Sequence, residues 1–373
     1  MRVLHIVPLI SDAAEYGGPV RGTLRQSVAT QEIGHSAKVL ALWKGTTSPP
    51  TDMWGVPVTT RRFLRVPIHR LGGGFSVTAI WWLYLNSRTF DVVHIHAGRD
   101  LWVMLAMVIL RLRGVPYVWQ THGMLNLRTS SAIRLYDFLL VRPAMRQATA
   151  MFYLTPFEKR ALAAFGETDR LELLINGVDA PDSDPPPLEP SPLKVVFCAR
   201  LHERKRAIDL VRAVISLRQT GANIELTLYG PDEGALAPIL QLIRESGHTE
   251  SVRYGGALAY ELVRPTLRQY NVCVLPSVNE PFPNSVLEGL ASGLAVVCTS
   301  SCGLAPYLRE SGAGIVIEPG AESIQAALET LMRANELIEQ YGELGLDLAR
   351  SRFSMHAVAT RLEQTYLLAT AEW

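Results

Sequence analysis

The stretch Asn271–Gly303, NVCVLPSVNEPFPNSVLEGLASGLAVVCTSSCG, reads as strand, loop, helix, strand. Val272–Leu275 is a short apolar run of the kind that forms a parallel strand buried on both faces. Pro276 and Pro281 interrupt regular structure on either side of Glu280. A helix is expected to open at Asn284 or Ser285, whose side chains can cap free amides, and to close at Ser292-Gly293. Leu287, Leu290 and Ala291 give it an apolar face, and Ala295–Cys298 is the next buried strand. Units of this kind build doubly wound α/β sheets, which bind ligands at the carboxyl ends of their strands.

Two carboxylates lie at that end. Glu280 is in the loop, and Glu288 follows eight positions later, one turn into the helix. A helix start offers amides and a positive dipole end to phosphates or sugar hydroxyls. Carboxylates beside a diphosphate would repel it, so in a nucleotide site both are better aimed at hydroxyls of a ribose or a sugar ring. A loop glutamate and a solvated helix glutamate would show the same spacing.

The surroundings favour the ligand reading. Glu-x7-Glu, with Phe282-Pro283-Asn284 inside it and an Ala-Ser-Gly-Leu-Ala-Val-Val run after it, resembles the signature of retaining glycosyltransferases of family 4. The resemblance implies an α/β, GT-B fold: two Rossmann-like doubly wound domains facing a cleft. It implies that Glu280 approaches the donor sugar's hydroxyls, with the backbone of Phe282, Pro283, Asn284 and Ser285 assisting, and that Glu288 holds the ribose. Pro283 stands where many members have glycine.

Upstream, Lys194–Cys198 is a strand followed by Ala199-Arg200-Leu201-His202-Glu203-Arg204-Lys205-Arg206. Basic side chains at a strand's carboxyl end suit a diphosphate, arginine as a bidentate donor and lysine as a point charge. Arg200 and Lys205 match the family's G-R-L-x-x-x-K pattern, with Ala199 for the first glycine and Arg206 where a glycine commonly follows. Glu225–Tyr229 leads into a loop at Gly230 that resembles the family's nucleotide-side glycine loop.

The first half repeats the α/β pattern. Val3–Pro8 is a strand, and a loop carrying Gly17-Gly18 precedes a helix from Val20 to Ile33. The glycine pair is not the dinucleotide fingerprint. It resembles the family's N-terminal glycine loop, which implies a place near the donor diphosphate. His94 and His96 share one face of a strand. A metal site there would need a third ligand, and none is nearby in sequence. Tyr117–Gln120 is followed by Thr121-His122-Gly123; a lone histidine is more often structural, but the resemblance implies that His122 contacts the donor sugar near the reacting carbon. Thr155 and Glu158 form a capping box. Thr46–Pro57 is expected to be loop, Ser131–Arg146 one helix, and Leu173–Ile175 a strand. Arg61, Arg62, Arg65, His69 and Arg70 precede Gly72-Gly73-Gly74 and a helix with Trp81, Trp82 and Tyr84. That combination suits a membrane interface, although tryptophans in the core with solvated arginines is the favoured reading.

Six prolines between 181 and 192 mark a semi-rigid linker. The expected organisation is an acceptor domain at 1–180, the linker at 181–192, a donor domain at 193–353, and a last helix at 354–373 returning to the first domain. Residues 1–180 carry 20 basic and 12 acidic side chains, and the remainder 16 and 23. That asymmetry suits an anionic membrane surface, lipid phosphate or acidic glycan near the first half, and equally an attraction between the two halves. The four cysteines lack metal-ligand spacing and read as reduced core residues. No run approaches the roughly 20 apolar residues of a membrane span, and the first residues do not resemble a secretion signal. A cytoplasmic chain, with a peripheral seat at the inner face of a membrane, is the expectation.

The activity that the resemblance implies is transfer of a sugar from a nucleoside-diphosphate sugar to an acceptor hydroxyl, with retention. His122, Arg200, Lys205 and Glu280 would be catalytic. Gly17, Gly18, Gly230, Phe282, Pro283, Asn284, Ser285 and Glu288 would bind the donor. No metal, cofactor or nucleic acid is expected, and a glycan or lipid-linked acceptor is. The alternatives are a non-catalytic nucleotide-sugar-binding scaffold of the same fold and a Rossmann-type epimerase or oxidoreductase.

Overall fold

The computed structural model describes residues 1–12, 17–65, 74–127, 130–166, 168–179 and 191–371. The chain divides into two compact units, Met1–Asn176 with Met355–Trp373, and Gly177–Ser354.

The first unit begins β1 (Arg2–Ser11), α1 (Gly17–Glu32), β2 (Ser36–Lys44), β3 (Asp52–Met53) and β4 (Val56–Arg62), then the short antiparallel pair β5 (Leu64–Arg65) and β6 (Gly74–Phe75). It continues α2 (Val77–Asn86), β7 (Val92–His96), α3 (Leu101–Arg113), β8 (Tyr117–Gln120), α4 (Ser131–Tyr136), α5 (Arg142–Gln147), β9 (Ala150–Tyr153), α6 (Pro156–Ala163) and β10 (Leu171–Leu173). The sheet order is β10-β9-β8-β7-β1-β2-β4-β3, parallel except where β3 meets β4. Strand side chains alternate between faces. Leu4 and Ile6 point into a core with Trp102, Met104 and Met107 of α3, whereas Val3 joins a second core on the opposite face.

The second unit contains β11 (Leu193–Cys198), α7 (Ala207–Gln219), β12 (Ile224–Tyr229), α8 (Leu236–Ser246), β13 (Val252–Gly256), α9 (Tyr260–Leu267) and β14 (Val272–Leu275). Then come α10 (Asn284–Ala291), β15 (Ala295–Thr299), α11 (Ala305–Ser311), β16 (Gly314–Ile317), α12 (Ala321–Arg333) and α13 (Glu336–Ser351). Its sheet, β13-β12-β11-β14-β15-β16, is wholly parallel. That is the doubly wound nucleotide-binding order, whose switch point lies between β11 and β14. The last helix, α14 (Met355–Ala371), belongs to the first unit. Val358, Leu362 and Tyr366 pack there with Val3, Val92, Val118 and Phe152.

Several expectations change. The segment expected to be loop at 46–57 supplies β3 and the start of β4, because Val56 and Val58 reach the core in an otherwise polar stretch. Gly17-Gly18 opens α1 instead of preceding it. The strand expected at Leu173–Ile175 lies two residues earlier. The helix from Ser131 contains a π-bulge at Asp137–Val141. Trp81 is 61% exposed with Val77, Tyr84 and Leu85, so the Trp-bearing helix keeps an apolar face in solvent, while Trp82 is half-buried and packs on Phe90. His69, Arg70, Gly72, Gly73, the linker residues up to 190, and Trp373 lie outside the described residues.

Candidate functional site

In the second unit, β11 and β14 end side by side. From β11 comes a turn in which Glu203–Lys205 form one 3-10 turn, and from β14 the Pro276–Pro281 loop. Lys205 Nζ lies 2.5 Å from Glu280 Oε2, and both residues are buried. Ser277 Oγ donates to the same oxygen at 2.9 Å, and Arg204 Nη2 lies 3.7 Å from it. None of the hydrogen bonds among the described residues uses Oε1. One carboxylate oxygen is thus fixed to the protein, and the other carries no hydrogen bond among the described residues. Further bonds tie the loops together: Val278 N donates to Arg204 O, Asn279 N to Ser301 Oγ and Gly303 N to Glu280 O.

Arg200 is exposed and bonds the Glu233 carboxylate through Nη1 at 2.8 and 2.9 Å. The two meet because Gly230 brings the β12 loop against β11's end; a Cβ there would stand 1.9 Å from Ala199 O. Gly230 therefore has a packing reason to be glycine. Phe282 is buried edge-on against Phe353, which leaves its backbone, not its ring, to meet a ligand. The N-cap of α10 is Pro283, not Asn284 or Ser285. The amides of Asn284 and Ser285 fall in the first turn, outside the helical hydrogen-bond ladder. Glu288 is half-buried on α10. It lies close enough to Cys198 to add to burial in pushing that thiol up to about 12.

In the first unit, His122 follows β8 with φ 50°, and Gly123 with φ 74°. Arg206 and Asn279 also have positive φ. Three of the four non-glycine residues so held among those described are candidate-site residues or their chain neighbours, and such strain concentrates at functional loops. Glu158 holds the His122 turn. Its Oε1 accepts from Thr121 Oγ1 and Gly123 N, both at 2.6 Å, and its Oε2 from Leu154 N at 2.7 Å. The capping expectation is half right: Thr155 Oγ1 accepts from Glu158 N, but the carboxylate clamps the neighbouring loop.

His94 and His96 do acquire a third histidine, contrary to the expectation drawn from sequence. His5 on β1 is in register with His94 on β7, and a ligand atom of each of the three lies within 4.8 Å of the others. The fit to a metal is poor. His5 Nδ1 and His96 Nε2 are hydrogen-bonded at 3.0 Å, His96 Nδ1 bonds His122 Nε2 at 3.1 Å, and His94 Nδ1 bonds Tyr366 at 2.7 Å. Among the described residues only His5 Nε2 and His94 Nε2 remain and no carboxylate joins them, and the His94 and His96 rings stack at 4.0 Å instead of converging. Burial holds these imidazoles neutral, with His5 lowered to about 3 and His122 to about 4. His5 and Ser277 were missed in the sequence, and Glu158 was read there as part of a capping box, not as the clamp on the His122 turn. Their partners are fixed by strand register and loop contacts, which no local motif signals.

Two Rossmann-like parallel-sheet units, with basic and acidic loops at the switch point of the second, define the GT-B architecture. Residues 17–177 match the model described as glycosyl transferase 4-like domain, and residues 192–334 that described as glycosyl transferases group 1. The chain belongs to the family 4-type GT-B glycosyltransferases. It is 25% identical over 251 residues to the 2-deoxystreptamine glucosyltransferase of Streptomyces kanamyceticus, covering 62% of this chain and 65% of that one. It is 30% identical over 202 residues to the lipopolysaccharide core biosynthesis glycosyltransferase LpsE of Rhizobium meliloti, covering 54% and 55%. A match to one subunit of the human phosphatidylinositol N-acetylglucosaminyltransferase, at 26% identity, covers 68% of this chain and 52% of the relative. The chain thus spans about half to two thirds of the length of these relatives. Among solved structures, Anabaena Alr3699/HepE in complex with UDP shares the fold, with a TM-score of 0.76, 14% identity and coverage of 99% and 100%.

Proposed function

We propose that this chain is an enzyme that transfers a sugar from a nucleoside-diphosphate sugar to an acceptor hydroxyl, with retention at the anomeric carbon. The observation that carries the reading is the buried Lys205–Glu280 pair at the switch point of the second sheet, where open α/β folds bind ligands. Lys205 and Arg200 stabilise charge developing on the departing diphosphate, the main electrostatic task of such a reaction. Glu280 Oε1 and the first amides of α10 orient the sugar, Glu288 holds the ribose, and His122 hydrogen-bonds the sugar. Retention follows from front-side substitution, with the leaving phosphate oxygen taking the acceptor's proton. No metal or cofactor is required in this scheme. Uridine diphosphate is the first nucleotide to test, since the neighbour Alr3699/HepE was solved with UDP.

The acceptor we propose is a glycan or lipid-carried glycan of cell-envelope or extracellular polysaccharide synthesis. Relatives named for lipopolysaccharide core and phosphatidylinositol support a lipid-borne acceptor. So does the surface of the first unit. Leu135 and Phe138 are exposed around a cavity of about 640 Å³ that Arg134 and Arg142 also line. Trp81, Tyr84 and Leu112 are exposed on α2 and α3, with Arg113 over the Tyr84 ring. Apolar side chains with arginines suit an anionic bilayer surface. No helix among the described residues is long and apolar enough to cross a membrane.

The test is thermal stabilisation by UDP, GDP, ADP and their sugar conjugates on wild type and Glu288→Ala, followed by nucleotide release with candidate acceptors. One nucleotide should raise the melting temperature selectively, the variant should lose that shift, and the product should keep the donor's anomeric configuration. Binding without any release of nucleotide would favour the scaffold reading.

A further inference from the structure

We propose that His5 and His96 are positioning residues of a directional hydrogen-bond relay, His5 to His96 to His122, which fixes His122 as the Nδ1–H tautomer. The outermost imidazole then presents a donor, and not a base, to its ligand.

The relay crosses three neighbouring strands at the switch point of the first sheet. His5 is on β1, His96 on β7, and His122 follows β8. His5 Nδ1 lies 3.0 Å from His96 Nε2, and His96 Nδ1 lies 3.1 Å from His122 Nε2. Each neutral imidazole has one N–H, so one assignment determines all three. The assignment starts at the inner end. His5 Nε2 is buried and has no partner among the described residues. An orphaned buried N–H is rarer and more costly than an unpaired acceptor. His5 therefore carries its proton on Nδ1 and donates to His96 Nε2. His96 must then carry its proton on Nδ1, donating to His122 Nε2. His122 is left with Nδ1–H, and no hydrogen bond among the described residues uses that nitrogen. The ring is half-buried, at the carboxyl end of the sheet where ligands bind.

Reversing the chain would require all three protons to move together and would leave His5 Nε2–H buried without an acceptor. The turn reinforces the arrangement, because Glu158 fixes Thr121 and Gly123 on either side of His122. What the Nδ1–H meets rests on the sugar-transfer reading; the tautomer itself does not.

The experiment is a long-range proton–nitrogen correlation spectrum of the full chain, ¹⁵N-labelled at histidine and without ligand, near pH 7.5. His5, His96 and His122 should each carry Nδ1–H. In His5→Phe, which removes the donor, the same penalty falls on His96 Nε2, so His96 and His122 should keep Nδ1–H; in His5→Asp, whose carboxylate only accepts from His96, they should gain Nε2–H. In His5→Asn, whose amide nitrogen can stand near the Nδ1 position, they should return to Nδ1–H. Turnover should follow the tautomer: kcat about tenfold lower in His5→Asp with the donor KM within twofold, and within threefold of wild type in His5→Asn. A wild-type His122 carrying Nε2–H overturns the relay, and that spectrum decides even if a variant fails to fold. One equivalent of added zinc that shifts His5, His94 and His96 in wild type, and does not shift His94 and His96 in His5→Phe, also overturns it in favour of a metal centre. The Nδ1–H pattern in a protein that transfers no sugar would sink the enzymatic reading and leave the relay standing.

Discussion

Lys205 and Glu280 are 75 residues apart in the chain and 2.5 Å apart at their charged atoms, buried at the ends of adjacent strands. A buried pair gains little over an apolar pair of the same volume, but removing one partner strands a charge and costs about 3–5 kcal/mol. Glu280→Leu should fall in that range. Lys205→Met should cost about 2–3 kcal/mol, because Arg204 lies 3.7 Å from the carboxylate and can take part of the charge. The double variant should recover most of the stability in urea unfolding and none of the turnover. A double variant that still released nucleotide from the donor would reduce the pair to a structural role.

Arg200 should show the opposite balance. Its side chain is 57% exposed and pairs with Glu233 at the surface, where such pairs contribute roughly 0–1 kcal/mol. Arg200→Ala should shift unfolding by no more than that and lower kcat/KM for the donor about 10²–10³-fold, the usual effect of removing one charge-stabilising donor. Steady-state kinetics beside a melting curve checks both. Normal turnover in Arg200→Ala would leave the arginine as no more than the partner of Glu233.

Gly303 tests whether the Glu280 loop must be held tightly. A Cβ at Gly303 would stand 1.6 Å from Pro281 O, while Gly303 N donates to Glu280 O at 2.8 Å. Gly303→Ala should force the loops apart, costing about 1–3 kcal/mol as other overpacked sites do, and turnover should fall tenfold or more. Gly234→Ala is the control. It has positive φ but nothing within 4 Å of its Cβ, so it should lose about 1 kcal/mol of stability and little activity.

How far the sequence reached can be judged at these same residues. Val272–Leu275 and Ala295–Cys298 were readable because an apolar run bounded by prolines and glycines has few other folds. Lys205 and Glu280 were readable as separate motifs, yet not as partners, because β14 crosses back to the far side of β11 and only the sheet order brings their ends together. Arg206 illustrates a departure the structure explains. It stands where a glycine is common because the position is left-handed, φ 53°, and its guanidinium bonds Asp209 at 2.6 Å. Val56 and Val58 were missed among prolines and threonines, where alternation was too short to be seen.

Glu158 should prove more than a helix cap. As a carboxylate it accepts from Thr121, Gly123 and Leu154 at once. Glutamine keeps the shape but turns an amide NH₂ toward one of those donors. Glu158→Gln should cost about 1–3 kcal/mol for the buried donor left unpaired. It should also loosen the turn carrying His122. Hydrogen exchange at Gly123 should rise and kcat fall about tenfold, while exchange in the second unit stays unchanged. If exchange rose only in the first turn of α6, the residue would be a cap alone.

The buried histidines give the first unit an acid limit. Burial lowers His5 to about 3, and lowers His94 and His96 well below 6.5, with neighbouring imidazoles adding to the effect. In the unfolded chain each would take up a proton near pH 6.5. Their contribution to stability is therefore full above pH 6.5 and lost as pH falls below it, by about 1.4 kcal/mol per pH unit for each, or roughly 4 for the three. Against a typical stability of about 5–15 kcal/mol, the first unit should unfold near pH 5. All seven tryptophans belong to that unit, so their fluorescence follows it alone. His5→Asn should lower the midpoint by a few tenths of a pH unit. Asp100 has the opposite sign: burial raises it to about 6, so its contribution is full below pH 4 and lost as pH rises through 6. Asp100→Asn should therefore stabilise the first unit by about 3 kcal/mol at pH 8 and by about half as much at pH 5. A fluorescence midpoint below pH 4, or equal gains from Asp100→Asn at both pH values, would show that these burial penalties are relieved by water reaching the groups.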